Sequence, residues 1–172
     1  MRRRFEQLVD AHGPRLRHLA LALLRRSDEA DDVVQDTLIK LWDRLESIET
    51  GSELPWLLTC TRNACLDRLR GRTRTRGVLL KLIGERDAAD EAPAGPADLA
   101  ESDRRRRALR EAVARMPEPG RSLLILRDLQ DIDVATTART LALSENQVKV
   151  YTFRARRALR RLLEEELHEQ VA

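Results

Sequence analysis

Aromatic residues are almost missing from this chain: two Trp, one Tyr and two Phe among 172 residues. Leu, Ala and Arg dominate instead, a usage that favours helices over sheets. No apolar run approaches the roughly 18 residues that a membrane span needs, so no direct membrane insertion is expected. The arginines of MRRRFEQLVD are followed by no apolar secretory core, which predicts a protein that stays cytoplasmic. There are only two cysteines, Cys60 and Cys65. On one helix they point more than a third of a turn apart, against both a disulfide and a two-ligand metal clip. His12, His18 and His168 are too scattered to complete a metal site. There is also no glycine-rich phosphate loop and no nucleophile–base pair at a readable spacing. The expectation is a non-enzymatic protein without cofactors.

Lysine is nearly absent too, occurring only at 40, 81 and 149, so almost all positive charge is guanidinium. Arginine suits phosphate forks and base edges, and an arginine-rich host composition would give the same bias. The net charge of +3 conceals a strong segregation. Asp28 to Glu49 holds acids opposed only by Lys40 and Arg44, whereas Asn146 to Leu163 holds only bases. Opposite charge in two places points to two different partners.

What is present reads as helix. Phe5 to Leu24 forms one, broken or kinked near His12-Gly13-Pro14, with Leu16, Leu19, Ala20, Leu23 and Leu24 inward. Ser27 is expected to cap a second, with acids in its first turn and Val34, Leu38, Leu41, Leu45 and Ile48 as its apolar stripe. Ser52 opens a third, reaching about Arg70, with Leu57, Leu58, Ala64, Leu66 and Leu69 available to the core. From Gly71 the periodicity fades into an Ala/Pro/Gly-rich acidic stretch, a linker by composition. Asp103 is expected to cap the next helix, which stops at PEPG; Ser122–Leu129 and Val134–Leu141 come after it. Ser144 and Gln147 then have the spacing of a capping box at the head of a long final helix.

That final helix carries the functional signal. At about 100° per residue, Val148, Thr152, Ala155, Leu159 and Leu162 fall on one stripe. Asn146, Lys149, Phe153, Arg157 and Arg160 gather opposite. A short helix, a tight turn and a capped cationic helix make the outline of a helix-turn-helix, whose second helix enters the major groove. The fold class is therefore all-α: two small helical domains, residues 1–71 and 103–172, joined by a flexible linker at 72–102.

Four stretches, DEADDVVQDTLIKLWDRL, PWLLTCTRNACLDRLRGR, LREAVARMPEPGRSLLILRDLQD and VKVYTFRARRALRRLL, resemble in order and spacing the signatures of the extracytoplasmic-function sigma factors. The resemblance implies a two-domain bacterial transcription initiation factor that binds core RNA polymerase and promoter DNA. Its acidic helix would be the polymerase-docking surface, with Asp31, Asp32, Gln35, Asp36, Leu38 and Trp42 at the matching positions. Leu38 and Trp42 fit a core role equally well. The helix from Trp56 to Arg70 would capture the opened minus-ten element through Arg62, Asn63, Arg68 and Arg70, with Trp56 read as packing. The final helix would read the minus-thirty-five element through Ser144, Asn146, Gln147, Lys149, Val150, Tyr151, Phe153, Arg154 and Arg157. Val150 and Tyr151 depart from the small polar or basic residues common in relatives. The resemblance further implies an anti-sigma factor as partner, commonly membrane-anchored. For the linker acids Glu85, Asp87, Asp90, Glu91 and Asp98 two readings stand, mimicry of RNA phosphates and a solvated tether. The rival reading of the whole chain is a stand-alone helix-turn-helix regulator, which has no use for the acidic helix.

Overall fold

In the computed structural model, which describes residues 1–79 and 97–169 (side chains for 1–73 and 104–165), every regular element is a helix. The order is α1 (Arg2–Leu24), α2 (Ser27–Arg44), α3 (Glu53–Leu79), α4 (Ala97–Arg115), α5 (Gly120–Leu124), a π-helical turn (Ile125–Leu129), α6 (Val134–Leu141) and α7 (Glu145–Glu169). Contacts divide the chain into two units, Met1–Asp90 and Glu91–Ala172.

In the first unit α1, α2 and α3 pack on one another around Leu16, Leu19, Ala20, Leu23 and Leu24, all buried as their spacing predicts. Helix α1 is unbroken through Pro14, where the sequence suggests an interruption. Its first turns are held from outside. The Arg4 guanidinium donates to the Leu45 and Ile48 carbonyls and, at 2.7 Å, to the Glu53 carboxylate. Glu53 also accepts from the Gly51 N–H at 2.6 Å, in a turn where Gly51 takes φ 84°, a conformation costly for any residue with a Cβ. Burial pushes the Glu53 carboxyl up, but the hydrogen bonds from Arg4 and the Gly51 turn prevail and hold it below the usual glutamate range.

The core faces of α2 and α3 are each shifted from the expected stripes. On α2 the inward residues are Ala30, Val33, Thr37 and Leu41, continued by Leu45 and Ile48, while Val34 and Leu38 lie half-buried at the edge. On α3 they are Leu57, Leu58, Thr61 and Cys65, with Ala64, Leu66 and Leu69 half-buried. Threonine explains both shifts. The Thr37 hydroxyl donates to the Val33 carbonyl at 2.8 Å, and Thr61 meets it across the helix pair at 3.4 Å. A satisfied hydroxyl can be buried, so a polar letter marks the centre of each stripe.

Helix starts also move. Arg26, in extended conformation, occupies the position before α2, and the Ser27 hydroxyl accepts from Arg17 at 3.0 Å instead of capping. Helix α3 continues nine residues past Arg70, through Gly71, and α4 begins at Ala97, which puts Asp103 inside the helix rather than at its cap. Asp98 lies on α4, while Glu85, Asp87, Asp90 and Glu91 fall outside the described residues.

The second unit packs α4, α5 and α6 against α7. Met116, Leu124 and Ala155 form one cluster with Leu159 and Leu162 against it, and Leu123, Ala138 and Val148 form another. The expected helix at Ser122–Leu129 starts at Gly120 and widens into the π-turn at Ile125, closed by Gln130 N–H donating to the Ile125 carbonyl at 3.1 Å. The Arg127 guanidinium donates to the Ile132 carbonyl and anchors the exit of that turn.

Candidate nucleic-acid interface and acidic face

Helix α7 is presented by caps on both sides of the turn. Asp133 accepts from the Thr136 N–H at 2.7 Å and opens α6; that bond holds its carboxyl below the usual aspartate range. Ala142, at φ 53°, ends α6, and the Leu143 N–H reaches the Ala138 carbonyl at 3.0 Å. The capping box is complete: Ser144 N–H donates to Gln147 Oε1 at 2.8 Å, and Gln147 N–H to Ser144 Oγ at 3.1 Å. These caps fix the pitch at which α7 leaves the turn.

The two faces of α7 separate as its periodicity predicts. Val148, Thr152 and Ala155 are buried, whereas Asn146, Lys149, Val150, Phe153, Arg154 and Arg157 are exposed. Phe153 leaves 62% of its surface open. An apolar ring held out among cations has no folding role, and it is suited to a thymine methyl or a sugar edge. Tyr151 differs from its neighbours: half-buried, it packs against the Leu123–Ala138–Val148 cluster and lies 6.0 Å beneath the Arg154 guanidinium. Arg156 points elsewhere, forming a bidentate pair with Asp128 at 2.5 and 3.0 Å. Among the described residues no carboxylate pairs with Lys149, Arg154 or Arg157, which leaves three cations for phosphates and base edges.

On the first unit, α2 offers a groove of about 450 Å³ lined by Phe5, Asp31, Val34, Leu38, Ile39 and Trp42, with Gln35 at its side. Phe5 meets Trp42 edge to face, ring centroids 5.1 Å apart. Ile39 and Trp42 are 53% and 40% exposed. An apolar floor beside carboxylates is a protein-docking surface in character, since the acids would repel a duplex. Of the residues expected there, Asp31, Gln35, Leu38 and Trp42 line the groove, and Asp32 and Asp36 are exposed on the same helix beside it. Val34, expected on the core stripe, lines the groove instead, and Ile39 and Phe5 are lining residues that the sequence pattern did not place there. Ile39 was findable as an apolar letter off the core stripe; Phe5 belongs to another helix, and its position depends on the fold alone.

The residues expected to hold an opened strand do not act alike. Asn63 and Arg70 are exposed and seven residues apart, hence on one face of α3, where Arg70 pairs with Asp67 at 2.7 Å. Arg62 is half-buried. Arg68 turns toward α2, donating to the Glu29 carbonyl at 3.0 Å and to Asp36 at 3.3 Å, with Asp32 at 3.6 Å. Trp56 is half-buried. Cys65 is buried and Cys60 half-buried, both as free thiols; burial pushes the Cys60 thiol up against the pull of Lys40 and Arg44, which disfavours the reactive thiolate.

Known proteins align with both units. Residues 8–75 match the family Sigma-70 region 2, and residues 106–159 match Sigma-70, region 4. The chain is 32% identical over 163 residues to the ECF RNA polymerase sigma factor SigM of Mycobacterium tuberculosis, covering 92% of this chain and 76% of that protein. It is 27% identical over 173 residues to the ECF RNA polymerase sigma factor SigX of Bacillus subtilis, covering 97% and 89%. Among solved structures it is similar to the sigma factor RpoE of Bartonella quintana, seen in complex with the anti-sigma factor NepR. There the TM-score is 0.70 at 30% identity, over 93% of this chain and 96% of that one.

Proposed function

This chain belongs to the extracytoplasmic-function sigma factors, and on that premise we infer that its two helical units divide promoter selection between them. It is a transcription initiation factor that directs RNA polymerase, and not an enzyme. In this reading residues 1–71 dock on core polymerase and hold the minus-ten element. Residues 103–172 read the minus-thirty-five element, and 72–102 connect them. A protein with these partners works in the cytoplasm.

The observation that carries the reading is the segregation on α7. Its buried side is ordinary helical core, while Lys149, Phe153, Arg154 and Arg157 stand clear of the unit beyond a capped turn. Lys149, Val150, Phe153 and Arg154 are assigned to base edges, Ser144, Asn146, Gln147 and Arg157 to the flanking backbone, and Tyr151 to aiming Arg154. On α2, Asp31, Asp32, Gln35, Asp36, Leu38 and Trp42 face polymerase, joined by Ile39. On α3, Arg62, Asn63, Arg68 and Arg70 serve the opened strand. The RpoE–NepR complex supports an anti-sigma factor as a further partner of this chain.

Run-off transcription with the host's core polymerase on a library of upstream fragments tests the reading. Transcripts that depend on this protein are expected, and they would reveal both promoter elements. Failure to co-elute with core, together with a discrete shift of free duplex DNA, would overturn the assignment of the two units.

A further inference from the structure

Between α2 and α3 lies a ladder of opposite charges that joins two surfaces assigned to different partners. Arg68 sits over a pair of carboxylates one helical turn apart: its Nη1 is 3.6 Å from Asp32, its Nη2 is 3.3 Å from Asp36, and Nη1 donates to the Glu29 carbonyl. One turn further along α3, Arg72 meets Glu29 at 2.5 Å. Arg68 is 31% exposed, whereas Asp32 and Asp36 are 68% and 57% exposed. The acids are therefore open to an incoming partner, while the guanidinium they hold is partly withdrawn. Pairs this exposed are weak and screened, and they exchange partners at little cost.

We propose that this ladder is an exchange device that couples polymerase docking to capture of the opened strand. In the free chain Asp32 and Asp36 occupy Arg68 and mask part of its charge. Cationic groups of the docking partner take over the two carboxylates. Arg68 is then released to take a phosphate of the single strand. Linkage makes the effect reciprocal: a strand that engages Arg68 strengthens docking by the same factor. The proposal rests on the assignment of α2 to polymerase and of α3 to the minus-ten strand.

A double-mutant cycle on the full chain tests it. The probe is a short fluorescein-labelled single-stranded oligonucleotide of mixed sequence, read by anisotropy at fixed salt. D32N/D36N should raise the affinity of the free chain on the order of fivefold, and this gain should vanish in the R68A background. The surface pair D43N/E46Q, which removes as much negative charge away from Arg68, should give a much smaller rise. Equal gains with and without Arg68 would overturn the exchange, because general repulsion would then explain them. Thermal melts accompany each variant, and R68Q replaces R68A if the latter unfolds. In the holoenzyme, R68A should weaken promoter-strand binding more than it does in the free chain; equal losses would also overturn the proposal. Absent run-off transcription by the wild type would sink the sigma assignments, whereas intact run-off with no coupling would sink the exchange alone.

Discussion

Arg68 Nη2 lies 3.3 Å from Asp36 Oδ2, so a side chain assigned to DNA is held by one assigned to polymerase. Packing has brought the two surfaces within a hydrogen bond of each other. Asp32 and Asp36 consequently do more than solubilise α2, and a change at either is felt on α3.

Charge reversal with D32K/D36K is expected to abolish co-elution with core polymerase while leaving upstream-element binding by the intact chain unchanged. Setting two lysines beside Arg68 should also cost about 1 kcal/mol of stability. Size-exclusion chromatography with core and a thermal melt separate the two effects.

Ile39 and Trp42 provide a cleaner probe of the same face, because about half of Ile39 and two fifths of Trp42 are exposed. Ile39→Ala should leave the melting temperature within error, since little surface is lost from the core, and weaken core binding by about 1–2 kcal/mol. Trp42→Ala should weaken core binding as well and lower the melting temperature, because most of the ring is covered and it meets Phe5 edge to face. Unaltered polymerase affinity in both would remove the groove from the docking surface.

On α7, Phe153→Ala should not destabilise the fold, given its exposure, yet should reduce affinity for the upstream element. Lys149→Ala and Arg154→Ala should each cost about 1–3 kcal/mol if the contact is to a base. Competition with scrambled duplex decides between base and phosphate contact: a loss equal on every sequence means phosphate.

Ser144→Ala removes the acceptor for the Gln147 N–H and should cost about 1 kcal/mol. The first turn of α7, which carries Asn146 and Lys149, should fray with it. Hydrogen exchange at Gln147 and Val148 is expected to quicken, and Ser144→Asn should restore protection.

The Arg4–Glu53 pair gives the first unit a signed pH dependence. Because the folded carboxyl lies below its ordinary value of 4.5, its contribution is complete above that pH and is lost as pH falls through the depressed folded value. Arg4→Ala should destabilise the unit by about 1–2 kcal/mol at neutral pH and flatten its acid-side stability loss. Urea titrations at pH 7 and pH 3 read both effects.

Much of the architecture is legible in the letters because helices declare themselves by period. The stripe Val148–Thr152–Ala155, the Ser144–Gln147 box and the buried face of α1 all come from spacing alone. Pattern and structure part where side-chain chemistry overrides the hydrophobic alphabet. Thr37 and Thr61 are core residues because each finds a hydroxyl partner, and Ser27 gives up its cap to accept from Arg17. Long-range pairs such as Arg4–Glu53 and Arg68–Asp36 carry no local signature, since neither member constrains its sequence neighbours. The minus-ten candidates are mixed: that Arg68 and Arg70, two positions apart on one helix, diverge follows from period, but that Arg68 meets α2 does not.

The π-turn at Ile125–Leu129 makes chain length itself a structural variable. Its i→i+5 closure accommodates one residue more than an α-turn would. Deleting one of these five residues would let the segment tighten to an α-turn that keeps the downstream direction, whereas the same deletion in an α-helix would rotate everything beyond it by about 100°. Ile132 would keep its place in the core and α6 its exit angle, while a second deletion would find no such slack and would carry Ile132 out. The segment thus holds one residue of slack, and a one-codon gap is absorbed here better than anywhere in the flanking helices.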